Sequence, residues 1–579
     1  MSFFDDASLV MIPSGYKTSK VYSVKPTDGT GDLTFSRSND TATRVGPDGL
    51  IEKVRTNLIL QSEAFNTTWT PISSSVSANT TANPLDGAVN ADTITLTGAT
   101  TQKYIVQGLV QSGLYTYSVY AKAGTHNFIQ LMLGADAAAY ANFNISTGAV
   151  TFSAGVTASV VSAGSGWYRC SMSYSTTTAT SLIVLAIDSG TDARFSTSAS
   201  TGTFILFGAQ FETGDIATDY IATTTAAVSV GPVANVPRLD YLNSSCPRLL
   251  LEGQRVNLFN FSEQLDNAYW SKIGSLTITA NNAVSPDGYQ NADLVTTTAA
   301  SARIQRAFTG LTAGTRTLSC FVKAGTGTEV SINSYDGIVD KGAGYNLSTG
   351  VVSYVSGGVT ATITNYGSGW YRLTHTYTSA GTSYSCQFYF DNVGTYQVYG
   401  FQFEDSASYA TSYIPTLGAA VTRGADAASK TGISSLIGQT EGTIFLDFNL
   451  QTPVGNDYVI GQIYNSSTPA NTIYFYVSTT NFFQALVDDT GGNQVNMFSP
   501  SALTQGNHKL ALAYKANDFV FYIDGVQIAT DTSGTVPTCN SVSLIDFVAA
   551  PIYLEKSAVN QYLLFPTRLS NADLAALTA

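Results

Sequence analysis

The aromatic side chains are the main candidates in this sequence for contact with a ligand. The four tryptophans are Trp69, Trp167, Trp270 and Trp370, and the chain also holds 33 tyrosines. An exposed indole can stack on a sugar ring, but a tryptophan that enters a strand directly after a turn is more often a core anchor. We therefore predict that all four tryptophans are buried. Loop tyrosines such as Tyr366 are better candidates for ligand contact, and no individual ligand-binding residue is assigned.

The titratable residues do not form a recognisable reaction centre. His126, His375 and His508 lie in three separate neighbourhoods without metal-ligand spacing. Glycoside hydrolysis needs two carboxyl groups about 5–9 Å apart, but adjacent residues on a strand, such as Asp488 and Asp489, point to opposite faces. Because two glycines follow this pair, it predicts a turn or at most a calcium ligand. The sequence predicts no catalytic, cofactor-binding or metal-binding residues, and we do not expect an enzyme.

Two pairs of glutamates recur at equivalent places along the chain, Glu63 with Glu263 and Glu212 with Glu404. Such a recurrence indicates a structural task, for example satisfying backbone N–H donors. The cysteines are odd in number and include no CxxC pair, which argues against a disulfide framework or a zinc site. We interpret them as scattered small hydrophobic residues, namely Cys170, Cys246, Cys320, Cys386 and Cys539.

The composition favours β-structure and excludes several classes of partner. Charged residues make up only 12% of the chain and hydrophobic residues 44%, with 50 glycines among the 579 residues. Thr, Val, Tyr and Phe suit half-buried strands, while Gly, Asn and Asp supply turns. A net charge of −13 argues against nucleic acid. The acidic opening does not resemble a secretory signal, and no apolar run reaches the about 20 residues of a membrane helix.

A long internal duplication organises the chain. Six segments return in the same order about 200 residues later, and only the loop lengths change. The paired segments are Asn57–Phe65 with Asn257–Leu265, Asn90–Asp92 with Asn291–Asp293, Tyr120–Thr125 with Phe321–Thr326, Asn144–Gly148 with Asn346–Gly350, Gly164–Arg169 with Gly367–Arg372, and Gly208–Glu212 with Gly400–Glu404. Within each copy, period-two alternation and frequent turns predict strands only, hence a β-sandwich or jelly roll.

Five parts follow from this pattern. They are a short N-terminal anchor segment (1–56), a first β-sandwich repeat (57–227), a linker (228–256), a second repeat (257–424) and a C-terminal sandwich (425–579). Leu249–Leu251 is apolar, so we expect the linker to dock on a module. About fifty residues make a poor independent core, so the N-terminal segment is expected to be either an anchor that a partner completes or a set of simple lead-in strands. In the C-terminal part, Asp524-Gly525 predicts a tight hairpin, and Ser570 with Asp573 predicts the start of a short helix.

These motifs resemble known families. The hairpin Tyr522–Ile528 and the terminal Leu569–Leu574 look like the concanavalin A-like, laminin G-like lectin fold. The Asn-Leu-x-x-x-Ser-Glu opening and the Gly-x-Gly-Trp-Tyr-Arg strand resemble carbohydrate-binding-module-like repeats in head and tail fibres of tailed phages. Val21–Arg37, Thr41–Val45, Gly49–Glu52, Asn235–Tyr241 and Cys246–Glu252 are similar to segments in virion proteins of phages that infect gut Bacteroides, including the crAss-like group.

The resemblance implies an all-β protein with two tandem jelly-roll-like sandwiches and a C-terminal concanavalin A-like sandwich. It implies a virion component, a head or tail fibre or capsid decoration, that is assembled in the host cytoplasm. The expected partners are other virion proteins of the capsid or tail, held by the N-terminal segment, a dimer or trimer of the same chain, and host surface glycans. The alternatives are a purely structural subunit without glycan binding and a polysaccharide-depolymerising enzyme.

Overall fold

β-Strands form nearly all of the regular structure, as the alternating Thr-, Val-, Tyr- and Phe-rich segments predict. The computed structural model describes residues 3–134, 139–176, 180–450, 458–478, 480, 482–544 and 557–579. Unit 1 comprises Met1–Lys53 and Pro232–Ala579, and unit 2 comprises Val54–Gly231. Among the described residues, no helix combines the length and the apolar character that crossing a membrane would require.

The N-terminal segment of unit 1 contains one short helix and six short strands. Their bounds are α1 (Phe3–Asp6), β1 (Leu9–Met11), β2 (Tyr16–Lys17), β3 (Lys20–Val21), β4 (Leu33–Ser36), β5 (Arg44–Val45) and β6 (Ile51–Glu52).

Unit 2 contains the first repeat. Its strands are β7 (Arg55–Asn57), β8 (Thr70–Ile72), β9 (Ser74–Ala82), β10 (Val89–Leu96), β11 (Tyr104–Leu109), β12 (Gly113–Ala123), β13 (Phe128–Leu133), β14 (Tyr140–Asn144), β15 (Ala149–Ala154), β16 (Thr157–Gly164), β17 (Trp167–Thr176), β18 (Thr180–Ala186), β19 (Thr203–Thr213) and β20 (Val228–Val230).

Unit 1 resumes with the linker and the second repeat. Their strands are β21 (Arg238–Asp240), β22 (Arg248–Leu251), β23 (Arg255–Asn257), β24 (Ser271–Ile273), β25 (Leu276–Ala283), β26 (Ala292–Thr297), β27 (Ala302–Thr309), β28 (Gly314–Ala324), β29 (Glu329–Tyr335), β30 (Asp340–Asn346), β31 (Val351–Val355), β32 (Thr360–Asn365), β33 (Trp370–Ser379), β34 (Ser383–Phe390), β35 (Gly394–Asp405) and β36 (Val421–Arg423).

The C-terminal sandwich completes unit 1. Its elements are β37 (Ala427–Thr431), a 3₁₀ turn (Ser434–Leu436), β38 (Glu441–Leu450), β39 (Tyr458–Tyr464), β40 (Thr472–Val477), β41 (Phe483–Asp489), β42 (Gly492–Phe498), β43 (Gly506–Lys515), β44 (Phe519–Ile523), β45 (Val526–Asp531), β46 (Ser541–Ser543), β47 (Ser557–Phe565) and α2 (Asn571–Thr578).

The two repeats share one strand order. The first repeat has sheets β16-β17-β12-β19-β10-β9 and β15-β14-β13-β18-β11-β8, and the second has β32-β33-β28-β35-β26-β25 and β31-β30-β29-β34-β27-β24. Each pair of sheets encloses its own apolar core, with Ile94, Val119 and Phe211 in one repeat and Val295, Cys320 and Phe403 in the other. The predicted all-β class with tandem sandwiches is therefore confirmed.

The N-terminal segment and the linker add strands to the C-terminal sandwich. β1 pairs with β47 and β4 pairs with β37, while β22 of the linker pairs with β47. Side chains such as Leu9, Leu33 and Leu251 are fully buried in the same core as Ile444 and Phe521. The expectation that the linker docks is confirmed. The N-terminal strands, in contrast, are completed by this chain itself, because their apolar residues find a sandwich core inside unit 1.

Local turn geometry follows the sequence closely. Gly164, Ser165 and Gly166 have φ of 81°, 50° and 78°, and Gly367, Ser368 and Gly369 have 81°, 50° and 81°. Three successive left-handed residues reverse the chain before each Trp-Tyr-Arg strand, and glycine meets this demand at little cost. In the C-terminal sandwich, Asp524 and Gly525 have φ of 49° and 80°, the pattern of a type I′ hairpin. The Ser570 side chain caps α2 by accepting the Asp573 N–H, as predicted.

Candidate functional site

The asparagine that opens each repeat is fully buried and bonds only to backbone. Asn57 makes four hydrogen bonds of 2.8–3.1 Å to main-chain groups of Ile59, Ala209, Phe211 and Ile221. Asn257 makes the corresponding four bonds, of 2.9–3.2 Å, to Phe259, Phe401, Phe403 and Ile414. Because these four bonds engage both the amide N and O atoms, this repeated residue serves the fold and not a ligand.

The recurring carboxylates divide into two groups. Glu212 and Glu404 accept the backbone N–H of Thr218 and Thr411 at 2.9 and 3.1 Å, so their predicted task of satisfying backbone donors is confirmed. Glu263, in contrast, binds side chains: it accepts the hydroxyls of Tyr399 and Tyr413 and pairs with Lys53. Glu63 likewise accepts from Tyr220 at 3.2 Å and Asn90 at 2.9 Å.

All four tryptophans are only 2% exposed, which confirms the core prediction. Trp69 and Trp270 lie in the main cores of their repeats. Trp167 and Trp370 lie in smaller apolar clusters, with Phe207 and Phe321 respectively. No indole face is therefore available for a sugar ring.

The histidines lie apart and each has its own local role. His126 bonds to Ser200 at 2.9 Å, and burial lowers its pKa. His375 bonds to Ser334 at 3.0 Å, and burial lowers its pKa to about 3. His508 lies 2.7 Å from Asp524, whose hydrogen bond raises the pKa of the imidazole.

Asp488 and Asp489 stabilise the turn between β41 and β42. Asp488 accepts from Tyr474 at 2.9 Å and from Asn493 at 2.8 Å, while Asp489 accepts the Gly491 N–H at 2.7 Å. The predicted turn lies at Thr490 and Gly491, whereas both aspartates belong to the end of β41 and not to a loop. In the part of the chain that the structure describes, no group of three or more His, Cys, Asp or Glu side chains could hold a metal ion.

Five charged side chains form what we call the buried ion network: Arg37, Arg238, Glu252, Arg423 and Asp426. All have fully buried side chains. Arg37 lies 3.0 Å from Asp426, and Arg238 bonds to both Asp426 and Glu252, the latter at 2.8 Å. Arg423 reaches Glu252 at 2.6 Å. The network ties the N-terminal segment, the linker and the entry to the C-terminal sandwich together.

The sequence motifs identified only part of this network. Arg37, Arg238 and Glu252 fall in the segments that resemble phage virion proteins, whereas Arg423 and Asp426 lie outside them. A signal was present, because Arg423-Gly-Ala-Asp426 places two opposite charges close together in a chain with only 12% charged residues. The network is closed to solvent. It therefore gives these motif residues a structural role and offers no site for a ligand.

An open groove of about 590 Å³ lies in unit 1. We call it the threonine groove, after the outward side chains of two paired strands that form its floor. Thr360, Thr362 and Thr364 of β32 lie opposite Thr376, Thr374 and Arg372 of β33. The hydroxyls of Thr362 and Thr374 are 2.5 Å apart, and that of Thr376 lies 2.8 Å from Thr317. Because side chains alternate along a strand, all six share one face of the sheet.

Three further segments form the walls of the threonine groove. Asn243 and Arg248 come from the linker, Ser408 from the loop after β35, and Asn449 and Gln505 from the C-terminal sandwich. Hydroxyl, amide and guanidinium groups therefore converge from both sandwiches of unit 1. The volume falls in the range of about 300–1,000 Å³ that is usual for ligand pockets.

Tyr366, one of the loop tyrosines that the sequence offers as candidates for ligand contact, lines the threonine groove. It is half-buried and packs edge-on against Phe321, with ring centroids 5.0 Å apart. Burial raises the pKa of its phenol, and a hydrogen bond with Arg372 opposes that effect. The phenol therefore stays protonated at neutral pH and can donate or accept a hydrogen bond.

Comparisons with known proteins give weak similarities only. No family model and no curated protein matches the chain. The Ruminococcus gnavus IT-sialidase CBM40 bound to α2,3-sialyllactose has 13% identity and a TM-score of 0.23, over 25% of this chain and 86% of that one. The leech intramolecular trans-sialidase has 16% identity and a TM-score of 0.22, over 24% and 23%. The SAP-like pentraxin of Limulus polyphemus has 10% identity and a TM-score of 0.21, over 24% and 70%. These values carry no argument about ligand or activity.

Proposed function

We propose that this chain is a structural subunit of a bacteriophage particle, a head or tail fibre or decoration protein, and that it binds host surface glycans in the threonine groove. The observation that carries the binding half is the groove itself. Its floor presents a ladder of hydroxyls with Arg372 at one end, and Tyr366, amide side chains and Arg248 also line it. Sugars are recognised by such arrays of donors and acceptors, because every ring carries several hydroxyl groups to be paired.

The virion half of the proposal rests on the sequence motifs, and their structural role supports it. The residues of those motifs stabilise unit 1 from within, since Arg37, Arg238 and Glu252 belong to the buried ion network. β2 remains at the edge of the nine-stranded sheet of the C-terminal sandwich, with both residues exposed. We propose this end of the N-terminal segment as the contact for a capsid or tail protein, in an oligomer of two or three chains.

The same buried ion network favours a second candidate, a purely structural subunit without glycan binding. The network contains five charged residues and links distant segments of unit 1. A protein that acts only as a spacer in the particle would need the same stabilisation. Glycan binding is the observation that separates the two candidates.

A glycan array probed with the full chain tests the binding half. Thr364→Trp would fill the threonine groove and is expected to abolish binding. Val161→Trp is the matched control, because Val161 pairs with Arg169 in the first repeat as Thr364 pairs with Arg372 in the second. Equal binding by both variants would remove the threonine groove from the proposal.

Two further measurements test the remaining parts. Mass spectrometry and antibody labelling of purified phage particles should find the chain in the virion, and its absence from particles would refute the virion half. Release of reducing ends from capsular polysaccharide would replace binding with depolymerisation.

A further inference from the structure

The charges that line the threonine groove are of one sign. Of the described residues along it, Arg248 and Arg372 are the charged ones, and the rest are hydroxyl, amide or apolar residues. The whole chain, in contrast, carries a net charge of −13. Two cations in a groove without a lining carboxylate are therefore a local departure from the composition of the protein.

The two terminal guanidinium nitrogens of Arg248 are available to a ligand. Arg248 is half-buried, and its Nε donates to Asn560 Oδ1 at 3.2 Å. Among the described residues, no partner binds its two terminal nitrogens. These nitrogens form the planar fork that binds carboxylate, sulfate or phosphate with two parallel hydrogen bonds.

Two carboxylates lie near Arg248 but outside the lining of the groove. Burial raises the pKa of Asp447, and the charge of Arg248 is among the effects that oppose this rise. Asp240 lies opposite Arg248 on β21 and accepts the Val45 N–H at 2.8 Å and the Leu242 N–H at 3.2 Å. Asp447 accepts the Asn560 amide at 2.7 Å. Neither Asp240 nor Asp447 lines the groove.

Arg372 differs from its equivalent in the first repeat. Arg169 donates to the carbonyl of Thr218 and to the Ser118 hydroxyl, which saturates one side of its guanidinium. Arg372 keeps the bond to Ser319, at 3.1 Å, and bonds to Tyr366, but within the described residues it has no backbone acceptor. Arg372 is only 4% exposed and its guanidinium lies over the Phe321 ring, so Arg248 is the cation of the groove that a ligand can reach.

We infer that the threonine groove takes an acidic saccharide, with the acidic group on Arg248 and the sugar hydroxyls on the threonine ladder. A neutral sugar would cover the half-buried Arg248 without pairing its charge, which is unfavourable because a charge removed from water must be paired. This inference rests on the proposed glycan binding and specifies its ligand class.

The test is an array that pairs each uronate-, sulfate- or phosphate-bearing bacterial oligosaccharide with its uncharged counterpart. The full chain is expected to prefer acidic members, and raising the salt from 0.05 to 0.5 M should weaken binding. Arg248→Gln should lose about 10- to 100-fold in affinity, the value of one charge-assisted hydrogen-bond pair. Arg248→Lys keeps the positive charge but lacks the planar guanidinium, so its affinity should lie between those of the unchanged chain and Arg248→Gln.

Arg303→Gln is the matched control. Arg303 is half-buried on β27, in the opposite sheet of the same repeat, and bonds to Gln305 at 2.8 Å. The Arg303→Gln substitution removes one positive charge, as Arg248→Gln does, and should leave glycan binding unchanged. Thermal unfolding of each variant checks that it is folded. Equal affinity for acidic and uncharged partners would overturn the inference and leave glycan binding standing. Absence of binding to every glycan would overturn the proposed binding itself.

Discussion

Neutralising Glu252 should destabilise unit 1 more than any exposed charge change of the same kind. Glu252 is fully buried and accepts from Arg238 at 2.8 Å, from Arg423 at 2.6 Å, and from the Ser412 N–H and hydroxyl at 2.8 and 2.6 Å. Glu252→Gln keeps the shape but leaves two buried guanidiniums without this counter-charge. Breaking a buried pair by removing one partner costs about 3–5 kcal/mol.

The expected change in melting temperature follows from the size of unit 1. Its about 400 residues imply an unfolding entropy near 0.8 kcal/mol/K, so the loss corresponds to a shift of about 4–6 °C if unit 1 melts in one transition. Differential scanning calorimetry of the full chain measures it. The transition of unit 2 should not move, because Glu252, Arg238, Arg423 and Ser412 lie in unit 1, and unit 2 serves as an internal standard.

Glu441→Gln is the matched control for this experiment. Glu441 pairs with Lys515 at 3.0 Å, but both side chains are partly exposed, at 33% and 55%. An ion pair of this kind contributes about 0–1 kcal/mol. A double variant, Glu252→Gln with Arg423→Met, removes one charge of each sign and should be less destabilising than the sum of its parts. Equal melting temperatures for Glu252→Gln and Glu441→Gln would refute the reasoning.

Three further predictions concern pH, a turn and thiol reactivity. The pKa of about 3 for His375 lies below its unfolded value of about 6.5, so the unfolded chain binds a proton that the folded chain does not, and stability is lost as the pH falls from 7 toward 3. Between pH 7 and 5 this amounts to about 2 kcal/mol, and His375→Gln should remove that part of the pH dependence of unit 1 in calorimetry; an unchanged slope would contradict it. Gly525→Ala forces a φ of 80° on a residue with a Cβ and should cost about 1 kcal/mol in urea unfolding, whereas Gly108→Ala, whose Cβ would meet open space, tests that the cost comes from the turn. Cys246 is the one exposed cysteine of the five, so iodoacetamide should label one thiol in the native protein and five after denaturation; rapid labelling of more than one would argue against the described cores.

Much of the fold could be predicted from the sequence because its cues are local. Alternation of β-branched and aromatic residues predicts strands, and the order of the repeated segments predicts two sandwiches of equal topology. Gly164-Ser-Gly166, Asp524-Gly525 and Ser570 predict their turns and cap, because dihedral demands act over two to four residues. The burial of the four tryptophans follows from the same local logic.

The candidate site could not be predicted in this way, because it is made by segments far apart in the chain. Thr362 and Arg372 belong to one repeat, Arg248 to the linker and Asn449 to the C-terminal sandwich, and no spacing in the sequence relates them. The loop position of Tyr366 makes it a candidate for ligand contact, whereas the threonines that line the groove with it have the pattern of ordinary strand residues.

By itself, the sequence determined the class of the fold, the duplication and the local turns, since these depend on neighbours along the chain. Only the tertiary structure decided where the N-terminal strands pair, which charges meet in the buried ion network, and which face of the second repeat stays open as a groove. Those outcomes depend on burial and on contacts between residues up to several hundred positions apart. Arg37 and Asp426, 389 positions apart and 3.0 Å from each other, show that dependence most directly.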